Sequence, residues 1–230
     1  MGAEVVNLEV IYEDNHIIVV KKPPNVLTQG DSTGDKDMLS IVKDYIKEKY
    51  NKPGAVYIGL VHRLDRPVGG LMVFARTSKA ASRLSEQVRS RSFKKGYMAV
   101  LRGCPDEKAS RLEDYLLKDK KTNTVSVVGP LSEGAKKAAL EYDVVQCEKG
   151  LSLVKIKLET GRPHQIRVQF SSRGTPLFGD QRYGKDVNKK GEQIALWSYY
   201  IRLTHPTLKE EMEFYLNPPG DVFPWNIFEI

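Results

Sequence analysis

The sequence predicts an α+β fold, a single domain built on a mixed, mainly antiparallel central sheet flanked by a few helices. Three observations carry this expectation. Short β-rich runs outnumber the helical patterns, and the helices are interspersed among the strands without the regular alternation of a βαβ winding. No Pro/Ser linker, internal repeat or low-complexity tract divides the 230 residues. The expected domain therefore spans residues 1–230, long enough to bury a sizeable core.

Leu8 to Tyr12 and His16 to Val20 are β-rich runs separated by the polar Glu13-Asp14-Asn15, a hairpin that ends at Pro23-Pro24. Met38, Leu39, Val42, Tyr45 and Ile46 recur at helical spacing behind a capping Asp37, which predicts an amphipathic helix over 38–50. Tyr57 to Val61 and Leu71 to Ala75 read as strands. Ser78 is placed to cap a second helix with Ala81, Leu84 and Val88 on one face, running out near Ser92. Further strands are expected at Tyr97 to Leu101, Val125 to Val128, Leu140 to Val145, Leu151 to Leu158, Ile194 to Leu203 and Met212 to Leu216. A helix over Arg162 to Arg173 opens near Pro163 and closes at Gly174.

Lys and Arg number 36 against 29 Asp and Glu, a formal charge of +7. That balance favours an anionic partner, with nucleic acid ahead of a membrane surface because no basic amphipathic helix or lipid anchor is present. No apolar stretch approaches the roughly 18 residues of a membrane span. The Met1-Gly-Ala-Glu-Val-Val6 start lacks the pattern of a secretory signal, and Val6 stands where N-myristoylation requires Ser or Thr. Cys104 and Cys147 are spaced for neither a metal site nor a disulfide framework, and a reducing cytoplasm is the expected location. His16, His62, His164 and His205 are scattered, so no metal site is expected, and nucleotide-cofactor loops are missing.

The richest segment is His62-Arg-Leu-Asp-Arg-Pro-Val-Gly-Gly70, which sets Asp65 between Arg63 and Arg66 on a Pro/Gly turn. A carboxylate beside guanidinium groups stays ionised, and such arginines suit a phosphodiester. A surface ion pair is the plainer alternative. Thr160-Gly-Arg-Pro-His-Gln-Ile-Arg167 offers Arg162 at a helix start and Arg167 one turn further in, either an anion clamp or an ordinary cationic helix end. Arg89-Ser-Arg-Ser-Phe-Lys-Lys-Gly-Tyr97 interleaves basic residues with Phe93 and Tyr97, a composition suited to phosphates and stacked bases or to a solvated helix end.

Taken together these segments resemble the RluA-type branch of the pseudouridine synthase family. Val20-Lys-Lys-Pro-Pro-Asn-Val26 is similar to its Lys-Pro motif, and His62-Arg-Leu-Asp65 to the signature holding its catalytic aspartate. Lys95-Gly-Tyr97 is similar to the strand with the active-site tyrosine, and Leu158 to Arg167 with Gly179-Asp-Gln-Arg-Tyr-Gly184 to the arginine motif. The resemblance implies isomerisation of uridine to pseudouridine in tRNA or ribosomal RNA, without cofactor or metal. It implies Asp65 as the catalytic carboxylate, acting either as a nucleophile at C1′ or as a base at C2′; both routes stay open. It further implies Arg167 as the partner of Asp65, Tyr97 stacked on the target base, Leu196 on the apolar wall, and Arg63 filling the space left by the extracted base. Arg66 and Arg162 are expected to hold substrate phosphate. Pro67-Val68-Gly69, Gln169 and Trp197 depart from the common family pattern without removing a catalytic group. A monomeric catalytic domain with no separate S4 RNA-binding domain is expected. A glycoside hydrolase would need a second opposed carboxylate, for which Glu159 and Asp180 are poor candidates.

Overall fold

A computed structural model describes residues 8–230. The Met1–Val6 segment, read above as carrying no leader, lies outside the described residues. Among the described residues the fold is α+β, with antiparallel strand pairing predominant and three α-helices. The chain forms two compact units interleaved in sequence: one holds residues up to Phe93 and Tyr200–Leu216, the other Lys94–Tyr199 and Asn217–Ile230.

In the first unit β1 (Val10–Glu13) and β2 (Ile17–Lys22) form the expected hairpin. Its turn is fixed by Asp14, whose Oδ1 accepts from the amides of His16 and Ile17, both at 2.7 Å. Helix α1 (Met38–Lys49) starts where predicted, with Asp37 accepting from the Ser40 amide. Strand β3 is only Gly59–Leu60, shorter than the run Tyr57 to Val61 suggested, and pairs with β4 (Gly69–Ala75). Strands β2 and β4 pair antiparallel with both faces covered, which is why Ile17–Val20 and Leu71–Ala75 are unbroken apolar runs. Helix α2 (Ser78–Arg89) is capped one residue earlier than expected, by Thr77. Its Ala80 and Leu84 join Ile17, Val19, Leu71, Val73, Phe93, Ile201 and Leu203 in the core.

The second unit carries β5 (Lys94–Arg102), β6 (Ala109–Asp119), β7 (Thr124–Val128), β8 (Lys136–Glu148), β9 (Leu151–Leu158) and α3 (Gln165–Ser171). The strands lie in the order β5-β9-β8-β6-β7 with antiparallel ladders throughout. Lys149 and Gly150 both take positive φ, 51° and 73°, the conformation a two-residue hairpin between twisted strands demands. Strand β6 is absent from the sequence expectation. Leu112 and Leu116 recur four apart as on a helix, yet both are buried on a strand that pairs on both edges.

Strand β10 (Leu196–Thr204) runs from the second unit into the first, where its later residues pair with β11 (Glu211–Tyr215). Two expectations are corrected here. Cys104 and Cys147 are joined as a disulfide, with Cα atoms 6.2 Å apart. Their separation of 43 residues says nothing of this; the ladders decide it, because Arg102 and Glu148 both stand opposite Leu151. Phe93 is 4% exposed in the core of the first unit and packs against His62, so it is no stacking platform.

Candidate active site

The turn bearing Asp65 is built in the first unit. The Val68 amide donates to the Asp65 carbonyl at 3.0 Å and closes the bend. Lys22, at the end of β2 and fully buried, donates from Nζ to the carbonyls of Pro23 (3.0 Å), Arg66 (2.9 Å) and Val68 (2.7 Å). Three N–H groups therefore meet three carbonyls, two of them on the Asp65 turn. Burial brings the Lys22 ammonium down to about 7, even with the Asp65 carboxylate acting to raise it. Thr28 grips the preceding residue: its hydroxyl donates to the Leu64 carbonyl at 2.8 Å and accepts from the Leu64 amide at 3.3 Å. In the sequence Lys22 is visible only as part of the Lys-Pro motif that closes an apolar run, with nothing to mark its role.

The two flanking arginines separate in behaviour. Arg63 is exposed and makes no side-chain hydrogen bond or ion pair among the described residues. Arg66 takes the plainer reading in part, pairing with Asp35 at 2.6 Å and donating from Nε to the Asn25 carbonyl at 3.1 Å.

Tyr97, Arg162, Arg167 and Leu196 belong to the second unit. Tyr97 lies on β5 and Leu196 opens β10, each 5% exposed. Arg167 sits on α3, where a buried pair holds it: Nε and Nη2 each donate to an oxygen of Asp180 at 2.7 Å. The forked geometry fixes the plane of the guanidinium. Burial pushes the Asp180 carboxyl up, but Arg167 and the amides of Tyr183 and Arg182 hold it below the usual range. Tyr183 lies 5.1 Å below the guanidinium carbon, and its hydroxyl meets His164 Nδ1 at 2.7 Å and accepts from the Val125 amide at 2.9 Å.

Helix α3 is shorter than expected at both ends. His164 takes a left-handed φ of 51°, so the helix begins at Gln165 and Pro163 lies outside it. With seven residues, Gln165–Ser171, it offers no N-terminal anion site. The Arg162 amide instead donates to Gln165 Oε1 at 3.0 Å, and its Nε to the Lys137 carbonyl at 2.9 Å. Glu159 is engaged by both Nε and Nη2 of Arg111, at 2.6 and 2.8 Å. Neither Glu159 nor Asp180 thus serves as a second, opposed carboxylate.

The family model for RNA pseudouridylate synthase matches residues 16–172. The chain belongs to this family. Among curated relatives, "Ribosomal large subunit pseudouridine synthase D" of Vibrio parahaemolyticus is 31% identical over 96% of this chain and 70% of its own length. The protein of the same name from Yersinia pestis is 32% identical over 94% of this chain and 68% of its own. The solved structure of human RNA pseudouridylate synthase domain containing 1 shares the fold, with a TM-score of 0.77 at 24% identity over 98% of this chain and 89% of that one. The synthase is an isomerase that converts uridine in RNA to pseudouridine. Among its described residues, no helix is long and apolar enough to cross a membrane.

That reaction breaks a C–N glycosidic bond and builds positive charge on the sugar. In the Asp65 turn, Lys22 Nζ holds the backbone at the carbonyls of Arg66 and Val68.

Proposed function

We propose that the synthase modifies uridines in large-subunit ribosomal RNA, with Asp65 as catalytic carboxylate. The carrying observation is the Lys22 ammonium fastened to the carbonyls of Arg66 and Val68, which fixes the backbone of the Asp65 turn. Two curated relatives named for the large ribosomal subunit favour that RNA over tRNA. In this reading Asp65 attacks C1′ or takes the C2′ proton. Arg167, its plane set by Asp180, is the cationic partner this reading gives the Asp65 carboxylate. Tyr97 stacks on the target base and helps move the C5 proton, and Leu196 closes the apolar wall. Arg63, exposed and unpaired among the described residues, enters the stack when the base leaves it. Arg66 and Arg162 contact phosphate. The protein acts as a cytoplasmic monomer.

The test is tritium release from C5-labelled ribosomal RNA transcripts, with tRNA transcripts alongside. Wild type should release tritium from large-subunit RNA with no free uracil, and Asp65→Asn should release none while binding the same RNA. Release by Asp65→Asn would remove the carboxylate from the mechanism. Release from tRNA alone would redirect the substrate.

A further inference from the structure

One lysine of the second unit has neither the partners of a structural cation nor the exposure of a surface one. Lys95 lies near the start of β5. The β5–β9 register pairs Gly96 with Lys157 and Tyr97 with Ile156, which sets Lys95 beside the end of β9, where the chain turns into Thr160-Gly161-Arg162. Its Nζ stands against Gly161, where an added Cβ would come within 3.3 Å of it. Lys95 makes no hydrogen bond or ion pair among the described residues, and burial alone pulls its ammonium below the ordinary lysine range.

Three carboxylates, on β6, on β8 and at the end of β9, are already paired. Glu113 is held by Arg111 and Lys137, Glu159 by Arg111, and Glu141 by Lys157. Arg162, next along from Gly161, spends Nε on the Lys137 carbonyl; its two terminal nitrogens have no partner among the described residues. An ammonium drawn partly out of water without an anion costs free energy. Lys22 shows how this chain satisfies a lysine whose role is structural, with three carbonyl acceptors. Lys95 has none.

Strand alternation puts Lys95 on the same face of β5 as Tyr97, about 7 Å along the strand. We propose that Lys95, together with Arg162 on the turn that follows β9, binds a phosphodiester group of the RNA next to the target uridine. The proposal rests on the reading of Tyr97 as the residue that stacks on that uridine. The chemistry fits: an ammonium supplies a point charge, a guanidinium supplies a fork of donors, and Gly161 has no side chain to bar the sugar-phosphate backbone.

The experiment measures dissociation constants of the full chain for an unmodified large-subunit ribosomal RNA transcript over a series of salt concentrations. Lys95→Gln should bind several-fold more weakly at low salt, and its slope of log affinity against log salt should be smaller by about one, the mark of one lost phosphate contact. Lys95→Arg should restore both. Arg162→Gln, at a partly exposed position that folding depends on less, should lower the slope by a similar amount. An unchanged slope in Lys95→Gln overturns the proposal. So does a Lys95→Arg variant that is as defective as Lys95→Gln and melts at a lower temperature, because Lys95 would then be structural. Failure of the underlying site reading would show separately, as wild type that binds the transcript yet releases no tritium from it.

Discussion

Lys21 and Lys22 are adjacent, chemically identical and indistinguishable in a sequence, yet they end up in opposite environments. The alternation of β2 sends Lys21 outward, where it pairs with Glu9 and keeps 36% of its side chain exposed, and sends Lys22 into the interior. The Lys-Pro motif was legible, but which lysine does structural work depended on strand register, which the sequence does not print. Replacing Lys22 with Met keeps the apolar stem and removes the ammonium, leaving the carbonyls of Pro23, Arg66 and Val68 without this donor. Each lost charge-assisted bond is worth about 1.5 kcal/mol or more, partly offset because an ammonium no longer has to be buried, for a net loss of about 2 kcal/mol. The functional effect should exceed the stability effect. With the Asp65 turn released, kcat should fall at least about tenfold while affinity for RNA stays within about twofold, since a small displacement of a catalytic group is costly. Denaturant unfolding and tritium release, measured on the same preparation, check both.

Helix α3 and the loop that follows it show where reading by element succeeds and where it stops. Arg167 and the Gly179-Asp-Gln-Arg-Tyr-Gly184 loop were visible as motifs. Their mutual pairing was not, because a 13-residue separation across a loop carries no periodic signal. Gly179 has a φ of 73°, and a Cβ there would lie 2.2 Å from the Gln193 carbonyl oxygen, so the residue before Asp180 has to be glycine. Strand β6 was missed for the converse reason, since its Leu112 and Leu116 imitate a helical stripe. The Asp180–Arg167 pair supports a prediction about pH. The folded carboxyl lies below its unfolded value, so its contribution is fully present above the ordinary carboxylate value and is lost as pH falls through the lower folded one. Wild-type unfolding free energy should therefore decline as pH falls below the ordinary carboxylate range. Asp180→Asn should be less stable at neutral pH by about 3 kcal/mol, because Arg167 stays buried and charged, and should show a flatter acid decline. Urea unfolding of the two proteins as pH is lowered measures both slopes.

At the scale of the whole molecule, the sequence announced a basic α+β protein and most of its elements. It could not announce that Tyr200–Leu216 returns to the unit that holds Phe93 and the described residues before it, nor that Cys104 and Cys147 meet, since both follow from pairings between distant segments. Charge, by contrast, is additive and survives ignorance of the fold. A chain with a formal charge of +7 and a pI near 9.2 should associate with RNA largely by displacing counterions. Phosphate contacts are made equally in the bound substrate and in the transition state, so they lower KM without raising kcat. Raising salt should therefore act on one constant and spare the other. Between about 50 and about 200 mM monovalent salt, kcat/KM for a ribosomal RNA transcript should drop by about 100-fold or more if six or so phosphates are engaged, while kcat at saturating RNA should change less than about threefold. Steady-state tritium release at several RNA concentrations separates the two. A fall confined to kcat would place the salt-sensitive interaction in the catalytic step, at the Asp65 charge itself, and would contradict an extended phosphate-binding surface.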